Sequence, residues 1–295
     1  MSNCNACPRM CNVDRDVSHG VCGSPNKILI TRSALHFWEE PCLSGKEGSG
    51  TVFFSGCNLH CVYCQNRDIS RVAVGREVNT EELCEEFIKL QNMGANNINL
   101  VTPSHYYLQI KEALKQAKSK LHIPIVSNTS SYDSVAAVKE MEGLVDIWLA
   151  DYKYDNPEVA QRYSKAKDYP EVARAAISEM VRQVGNPEFD ERGMMKKGVI
   201  VRQLLLPGHV KESKSCVKYL YETYGNKIFI SLMSQYTPID IPEEYSEINR
   251  KCTKREYERL IDYALELGVE NAFIQEGDVA KESFIPEFDV KLTQV

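Results

Sequence analysis

The sequence has no run of 18 apolar residues, and its opening, MSNCNACPRM, lacks the apolar stretch a secretory signal needs. Neither a membrane span nor export is expected, so the reading is a soluble, cytoplasmic protein. Basic charge is not in excess either. Lys and Arg number 35 against 41 Asp and Glu, a net charge of −6 with a pI near 5.7, which gives no electrostatic footprint for nucleic acid. There is no internal repeat or low-complexity segment. With 295 residues, 43% of them hydrophobic, the chain can bury a sizeable core, and as an α/β barrel it could do so in one domain.

Cysteine is abundant. Of eleven, eight (Cys4, Cys7, Cys11, Cys22, Cys42, Cys57, Cys61 and Cys64) fall in the first 64 residues, where even scatter would place roughly two or three. In a reducing compartment such crowding indicates metal binding or catalysis rather than disulfides. The stretch FFSGCNLHCVYCQN, 53–66, spaces Cys57, Cys61 and Cys64 as CxxxCxxC directly after a strand-like run. Three thiolates can ligate three irons of a [4Fe–4S] cube and leave the fourth for an outside ligand. The competing reading is a zinc loop completed by a distant fourth ligand.

Beyond the cysteines, short β-branched runs alternate with helical patterns. TVFFSG (51–56), NINLV (97–101), IPIVSN (123–128), DIWLAD (146–151), VIVRQLLL (199–206), IFISLM (228–233) and NAFIQ (271–275) read as buried strands. One helix is expected from an N-cap at Thr80, with Leu83, Phe87 and Leu90 on its inner face and its end near Gly94. Another is expected from Thr253 to Gly268, burying Tyr257, Leu260, Ile261, Ala264 and Leu265. Six or seven such units imply a parallel sheet wrapped by helices, either a full or partial barrel or a doubly wound sheet. In each, chemistry lies at the strand C-termini, where Cys57 falls. The polar stretch 154–197 is expected to hold helices at the rim of the site.

The cysteine loop, with an aromatic at Tyr63, resembles the signature of the radical S-adenosylmethionine (SAM) superfamily, CxxxCxΦC. The subgroup it is most similar to is that of the pyruvate formate-lyase activating enzymes. NTSSY places Asn128 where that subgroup usually has Asp, followed by a matching Thr129. DYK, at Asp151 to Lys153, resembles its DxK, and VRQLLLPG, with Arg202, its arginine-bearing strand. The resemblance covers about residues 50–240. It implies a partial (β/α)6 TIM-type barrel over 50–240, a Cys-rich metal-binding extension over 1–49, and a C-terminal helix and strand over 241–295 completing the barrel. It further implies a [4Fe–4S] cluster on Cys57, Cys61 and Cys64, SAM contacted by Tyr63, Lys153 and Arg202, and a monovalent cation near Asn128, Thr129 and Asp151. The implied reaction is reductive cleavage of SAM to a 5′-deoxyadenosyl radical that abstracts hydrogen. The implied partners are a glycyl radical enzyme as substrate and a flavodoxin- or ferredoxin-type reductant. Two other functions fit the residues: radical modification of another peptide or a small molecule, and a non-catalytic zinc-binding protein.

One motif departs from the pattern. The GGEP-like segment that holds the SAM amino group is replaced by LVTPSHYY (100–107), so backbone carbonyls and Thr102 are expected to serve instead. In that segment His105 is either an acid/base group near the site or a solvent-facing helix-start residue. Cys4, Cys7, Cys11 and Cys22 are spaced CxxCxxxCx10C, and could close a structural zinc, hold a second iron–sulfur cluster, or stay free. In HFWEEP (36–41), His36, Glu39 and Glu40 either meet a substrate at the barrel mouth or form a solvated turn. Cys84 is expected as a small buried hydrophobe; Cys42, Cys216 and Cys252 have no partner spacing.

Overall fold

The computed structural model describes residues 4–275. In chain order its elements are β1 (Ile28–His36), α1 (Pro41–Ser44), β2 (Ser49–Phe54), α2 (Arg67–Ser70), β3 (Arg76–Val78), α3 (Thr80–Asn92), β4 (Ile98–Val101), α4 (Tyr107–Ala117), β5 (Ile125–Thr129) and α5 (Val135–Lys139). They continue as β6 (Ile147–Asp151), α6 (Pro157–Ser164), α7 (Tyr169–Val184), β7 (Glu188–Phe189), β8 (Met195–Leu204), α8 (Val210–Tyr224), β9 (Phe229–Met233), α9 (Lys254–Leu267) and β10 (Ala272–Ile274). Residues 276–295 of the expected C-terminal segment lie outside the described residues.

The seven strands expected from the sequence are β2, β4, β5, β6, β8, β9 and β10. They lie side by side and parallel in that order. Each of the first six is followed by helix before the next parallel strand, which gives the βα repeat of a partial barrel. Three strands went unread, one of them the two-residue β7, which pairs antiparallel with β8. β1 pairs antiparallel with β2, and β3 with β1, so residues 28–36 of the N-terminal extension belong to the same sheet.

Both faces of the parallel strands are buried, which is why they read as near-continuous apolar runs. Ile98, Leu100, Trp148, Val199, Val201 and Ile230 pack outward among the helices, while Val126, Ile147, Leu149, Ile200 and Phe229 form a separate inner cluster. Barrel interiors must be filled by side chains. Part of the filling comes from the extension, because Cys42 and Leu43 of α1 belong to that inner cluster. Pro41 occupies the first helical turn, where its missing N–H costs nothing. Asn97 donates through Nδ2 to the Leu43 carbonyl, and Asn96 to that of Ser44, each at 2.8 Å. Gly45 follows at φ +52°, with Asn96 Nδ2 only 2.9 Å from where a Cβ would stand. Residues 39–44 thus form a plug in the barrel.

The helix boundaries need small corrections. The N-cap of α3 is Asn79, not Thr80: its side chain accepts from the Glu82 N–H at 2.8 Å and the Glu82 carboxylate accepts from the Asn79 N–H at 2.8 Å, a full capping box. Cys84 is buried there, as expected. In α9, Tyr257, Leu260 and Ala264 are buried and Ile261 partly so, but Leu265 is 61% exposed, because it lies beyond the stripe that meets α8.

Candidate active site

At the C-terminal ends of the strands lies a cavity of about 240 Å³, lined from β1 to β9. Cys57, Cys61, Tyr63, Cys64, Thr102, Asn128, Thr129, Asp151, Lys153 and Arg202 all border it. Residues up to 145 positions apart are therefore brought to one place by the parallel order of the strands (57 to 202).

The thiols are free, and each already accepts a hydrogen bond. Leu59 N–H donates to Cys57 Sγ at 3.3 Å, Ser164 Oγ to Cys61 Sγ at 3.1 Å and Ser70 Oγ to Cys64 Sγ at 3.6 Å. Burial pushes the Cys57 thiol up to about 12, with the neighbouring Cys64 and Cys61 adding to the shift, and burial also raises Cys64. Burial opposes ionisation of these thiols, so a cluster that takes them as thiolates must displace their protons on binding. Among the described residues no three His, Cys, Asp or Glu side chains are grouped as ligands of a single metal ion. That bears on a mononuclear site, not on three thiols that each take a different iron.

Tyr63 is buried against the loop, its ring centroid 6.1 to 6.5 Å from those of Tyr154, Tyr163 and Tyr236. The Tyr63 and Tyr154 hydroxyls are hydrogen-bonded at 2.7 Å, and Tyr154 is 2.8 Å from Ser164 Oγ. Ser164 lies at the end of α6, so the long connection 154–197 supplies the group that holds Cys61.

Asp151 ends β6 and bridges the two cations. Lys153 Nζ donates to Oδ2 at 2.6 Å, and Arg202 Nε, from the paired position on β8, donates to Oδ1 at 2.9 Å. Burial works to raise this carboxyl, but Arg202 and Lys153 outweigh it and hold it below the usual carboxylate range. Arg202 also donates to Asn128 Oδ1 at 2.6 Å and to Glu39 Oε2 at 3.3 Å. Thr129 borders the cavity while its hydroxyl donates to Asp133 at 2.5 Å. The side chains expected around a monovalent cation are thus already engaged, Asn128 and Asp151 with Arg202 and Thr129 with Asp133. Tyr169 ties two strand ends together, its hydroxyl donating to the Ser130 and Asp151 carbonyls and accepting from the Lys153 N–H.

Thr102 stands where the GGEP-like segment is missing, at φ +58°, a strained conformation for a β-branched residue. Its N–H donates to the Asn128 carbonyl at 2.9 Å, which fixes the loop beside the cavity.

His105 fits neither expectation. It is 2% exposed, with Nε2 donating to the Ser55 carbonyl at 2.7 Å, and burial, reinforced by Arg15, lowers it to about 3. It is a neutral structural residue beneath the cluster loop. In HFWEEP, Glu39 is inside the cavity rather than in a solvated turn, accepting also from Asn99 Nδ2 at 3.0 Å and Asn128 Nδ2 at 3.2 Å.

The N-terminal arm packs directly on the loop. Cys57 N–H donates to the Cys22 carbonyl at 3.3 Å. Arg9 donates to the carbonyls of Asn58 and Lys165, each at 2.8 Å, and of Ser164 at 3.2 Å, with its guanidinium 5.0 Å from the Tyr132 ring centroid. Nothing in the spacing of CPRM announced that role. The arm's four thiols are free; Cys7 and Cys22 are buried, and Val21 N–H donates to Cys11 Sγ at 3.3 Å.

The model of the radical SAM superfamily matches residues 51–188, a span that starts in β2 and includes all three loop cysteines. Those residues are a radical SAM domain. Over 89% of its length the chain is 29% identical to an uncharacterized protein of Methanocaldococcus jannaschii, 74% of which is covered. Over 60% of its length it is 25% identical to the pyruvate formate-lyase 1-activating enzyme of Escherichia coli, 89% of which is covered. In fold, the chain is similar to Streptococcus suis SuiB bound to S-adenosylmethionine (TM-score 0.52, 14% identity, 75% of this chain) and to a radical SAM methyltransferase from Sphaerobacter thermophilus (0.51, 11%, 84% of this chain). It spans 48% of the SuiB chain and 77% of the methyltransferase.

Proposed function

We propose that the chain reductively cleaves SAM within this cavity and directs the resulting radical at a hydrogen atom of a second molecule. What carries the reading is that three hydrogen-bonded thiols share one cavity with Lys153, Asp151 and Arg202. A [4Fe–4S] cluster on Cys57, Cys61 and Cys64, when bound, supplies the electron that cleaves SAM to methionine and a 5′-deoxyadenosyl radical.

The chain's own residues bind, orient and seal. Lys153, near Cys61 and Cys64, offers the cation a SAM carboxylate needs at that end. Thr102 and its strained backbone present polar groups toward the SAM amine. Tyr63 and the tyrosines around it close the loop side against water. The hydrogen donor is read as a glycine of a partner protein, which would make the chain an activase; the similarity to the E. coli activating enzyme supports this. The arm's Cys4, Cys7, Cys11 and Cys22 are read from their spacing as a second metal site, zinc or an iron–sulfur cluster; they are not grouped as ligands of a single ion, so a zinc would have to draw them together.

The test is anaerobic reconstitution followed by measurement of iron, sulfide, zinc and dithionite-driven 5′-deoxyadenosine. About four irons with cleavage supports the reading, and about eight adds a cluster in the arm. Zinc alone without cleavage would overturn it.

A further inference from the structure

We propose that Ser164 is a positioning residue that raises the reduction potential of the cluster by donating its hydroxyl proton to Cys61. This rests on the reading of Cys57, Cys61 and Cys64 as cluster ligands.

The three thiols are not held alike. Cys57 accepts from a backbone N–H of its own loop, and Ser70 Oγ, 3.6 Å from Cys64 Sγ, also lies 3.5 Å from the Arg67 carbonyl of its own helix. Ser164 is different. It comes from 103 residues further along the chain, is 1% exposed, and places its Oγ 3.1 Å from Cys61 Sγ. A buried hydroxyl needs a strong acceptor to offset its desolvation, and a neutral thiol is a weak one. A thiolate is a strong one. The arrangement therefore suits Cys61 in the form that binds iron.

The surroundings keep the hydroxyl in place. Ser164 closes α6, and Lys165 follows at φ +48°, so the helix stops there. Val62 N–H donates to the Tyr163 carbonyl at 2.8 Å, which ties the end of α6 to the cysteine loop. From the arm, Arg9 donates to the carbonyls of Ser164 and Lys165. Tyr154, wholly buried, has its hydroxyl 2.8 Å from Ser164 Oγ. Between free thiols the Tyr154 hydroxyl donates to Tyr63; facing a thiolate at Cys61, Ser164 commits its single proton to sulfur and Tyr154 turns its own to Ser164. Each donor polarises the next. An electron added to an iron–sulfur cluster puts negative charge on its sulfurs, so a donor at Cys61 stabilises the reduced form more than the oxidised one. Removing that donor must lower the potential.

The test is a spectroscopically monitored redox titration of the reconstituted full chain, with iron content and melting temperature measured on the same samples. Ser164→Ala is expected to keep its iron and to lower the midpoint by about 59 mV, a tenfold fall in the ratio of reduced to oxidised cluster at a fixed applied potential. Ser164→Thr, which restores a hydroxyl, should recover most of that shift, and Tyr154→Phe should give a smaller shift of the same sign. An unchanged or raised midpoint in iron-loaded Ser164→Ala would overturn the proposal. Should Ser164→Ala lose its iron, Tyr154→Phe decides, and an unchanged midpoint there overturns the proposal equally. SAM is then added to each sample. A cluster whose spectrum ignores SAM but whose midpoint falls in Ser164→Ala counts against the radical reading alone. A cluster that responds to SAM and has the same midpoint in both proteins counts against this proposal alone.

Discussion

Cys57, Cys61 and Cys64 follow the end of β2, the outermost of the parallel strands, whereas Cys4, Cys7, Cys11 and Cys22 lie on an arm with no helix or strand among its described residues. The first group is placed by the sheet: β2 is bounded by β1 and β4, and the hydrogen bonds of that ladder fix where Cys57 emerges. The second is placed by side chains. Arg9 and Arg15 together spend their donors on six backbone carbonyls, Arg15 on those of Ser24, Pro25 and His105. Guanidinium is suited to this, since its rigid fork satisfies several acceptors at once. The arm is therefore the outer wall of the cluster loop rather than an appendage, and a disturbance of the wall should reach the loop.

The sharpest contrast between the groups is expected in activity. Cys61→Ala should abolish dithionite-driven 5′-deoxyadenosine formation while the fold survives, because one iron loses its ligand; wild-type turnover in that variant would break the distinction. The next effect should come from the seam. At Gly56, φ +84°, an added Cβ would stand 1.9 Å from Ser24 Oγ and 2.6 Å from the Cys22 carbonyl. Gly56→Ala is expected to lever arm from loop, lowering stability by about 3 kcal/mol in denaturant titration and reducing bound iron. A variant with native stability and iron content would show the two groups to be mechanically independent.

Cys7→Ala should lower the melting temperature yet leave the iron held by Cys57, Cys61 and Cys64 in place, as expected of a structural metal. Lost turnover at unchanged stability would instead give the arm a redox role. The smallest expected effect is a pH dependence at the junction. The folded state holds His105 neutral down to about 3, while the unfolded chain takes up a proton near 6.5, so the unfolded state binds more protons in between and stability falls as pH drops through that window. Between pH 6.5 and 5 this contributes a loss of about 2 kcal/mol, which His105→Gln should remove; parallel pH–stability curves for the two proteins would refute it.

The parallel strands were legible because burial on both faces writes them as apolar runs, and the cysteine loop because metal chemistry demands fixed local spacing. β1 was not: after the buried Ile28–Thr31, the half-exposed Arg32, Ser33, Ala34, Leu35 and His36 mix polar and apolar residues without alternation, which blurs the pattern of a strand. The dual character of HFWEEP could not be resolved locally, since a carboxylate preceding a proline looks the same whether it meets water or Arg202. His105 was misjudged for a similar reason, as the carbonyl that fixes it, Ser55, is 50 residues away.

The sequence by itself determined the βα repeat and the three-thiol loop, which depend on periodicity or on contacts within a few residues, while Asp151, Lys153 and Arg202 were singled out by their resemblance to motifs of the activating-enzyme subgroup. Only the tertiary structure decided that the N-terminal extension both walls the cluster loop and plugs the barrel, and that Arg202 is shared among Asp151, Asn128 and Glu39. Those outcomes depend on which distant groups burial forces together, because a desolvated charge or amide must find its partner wherever the fold supplies one.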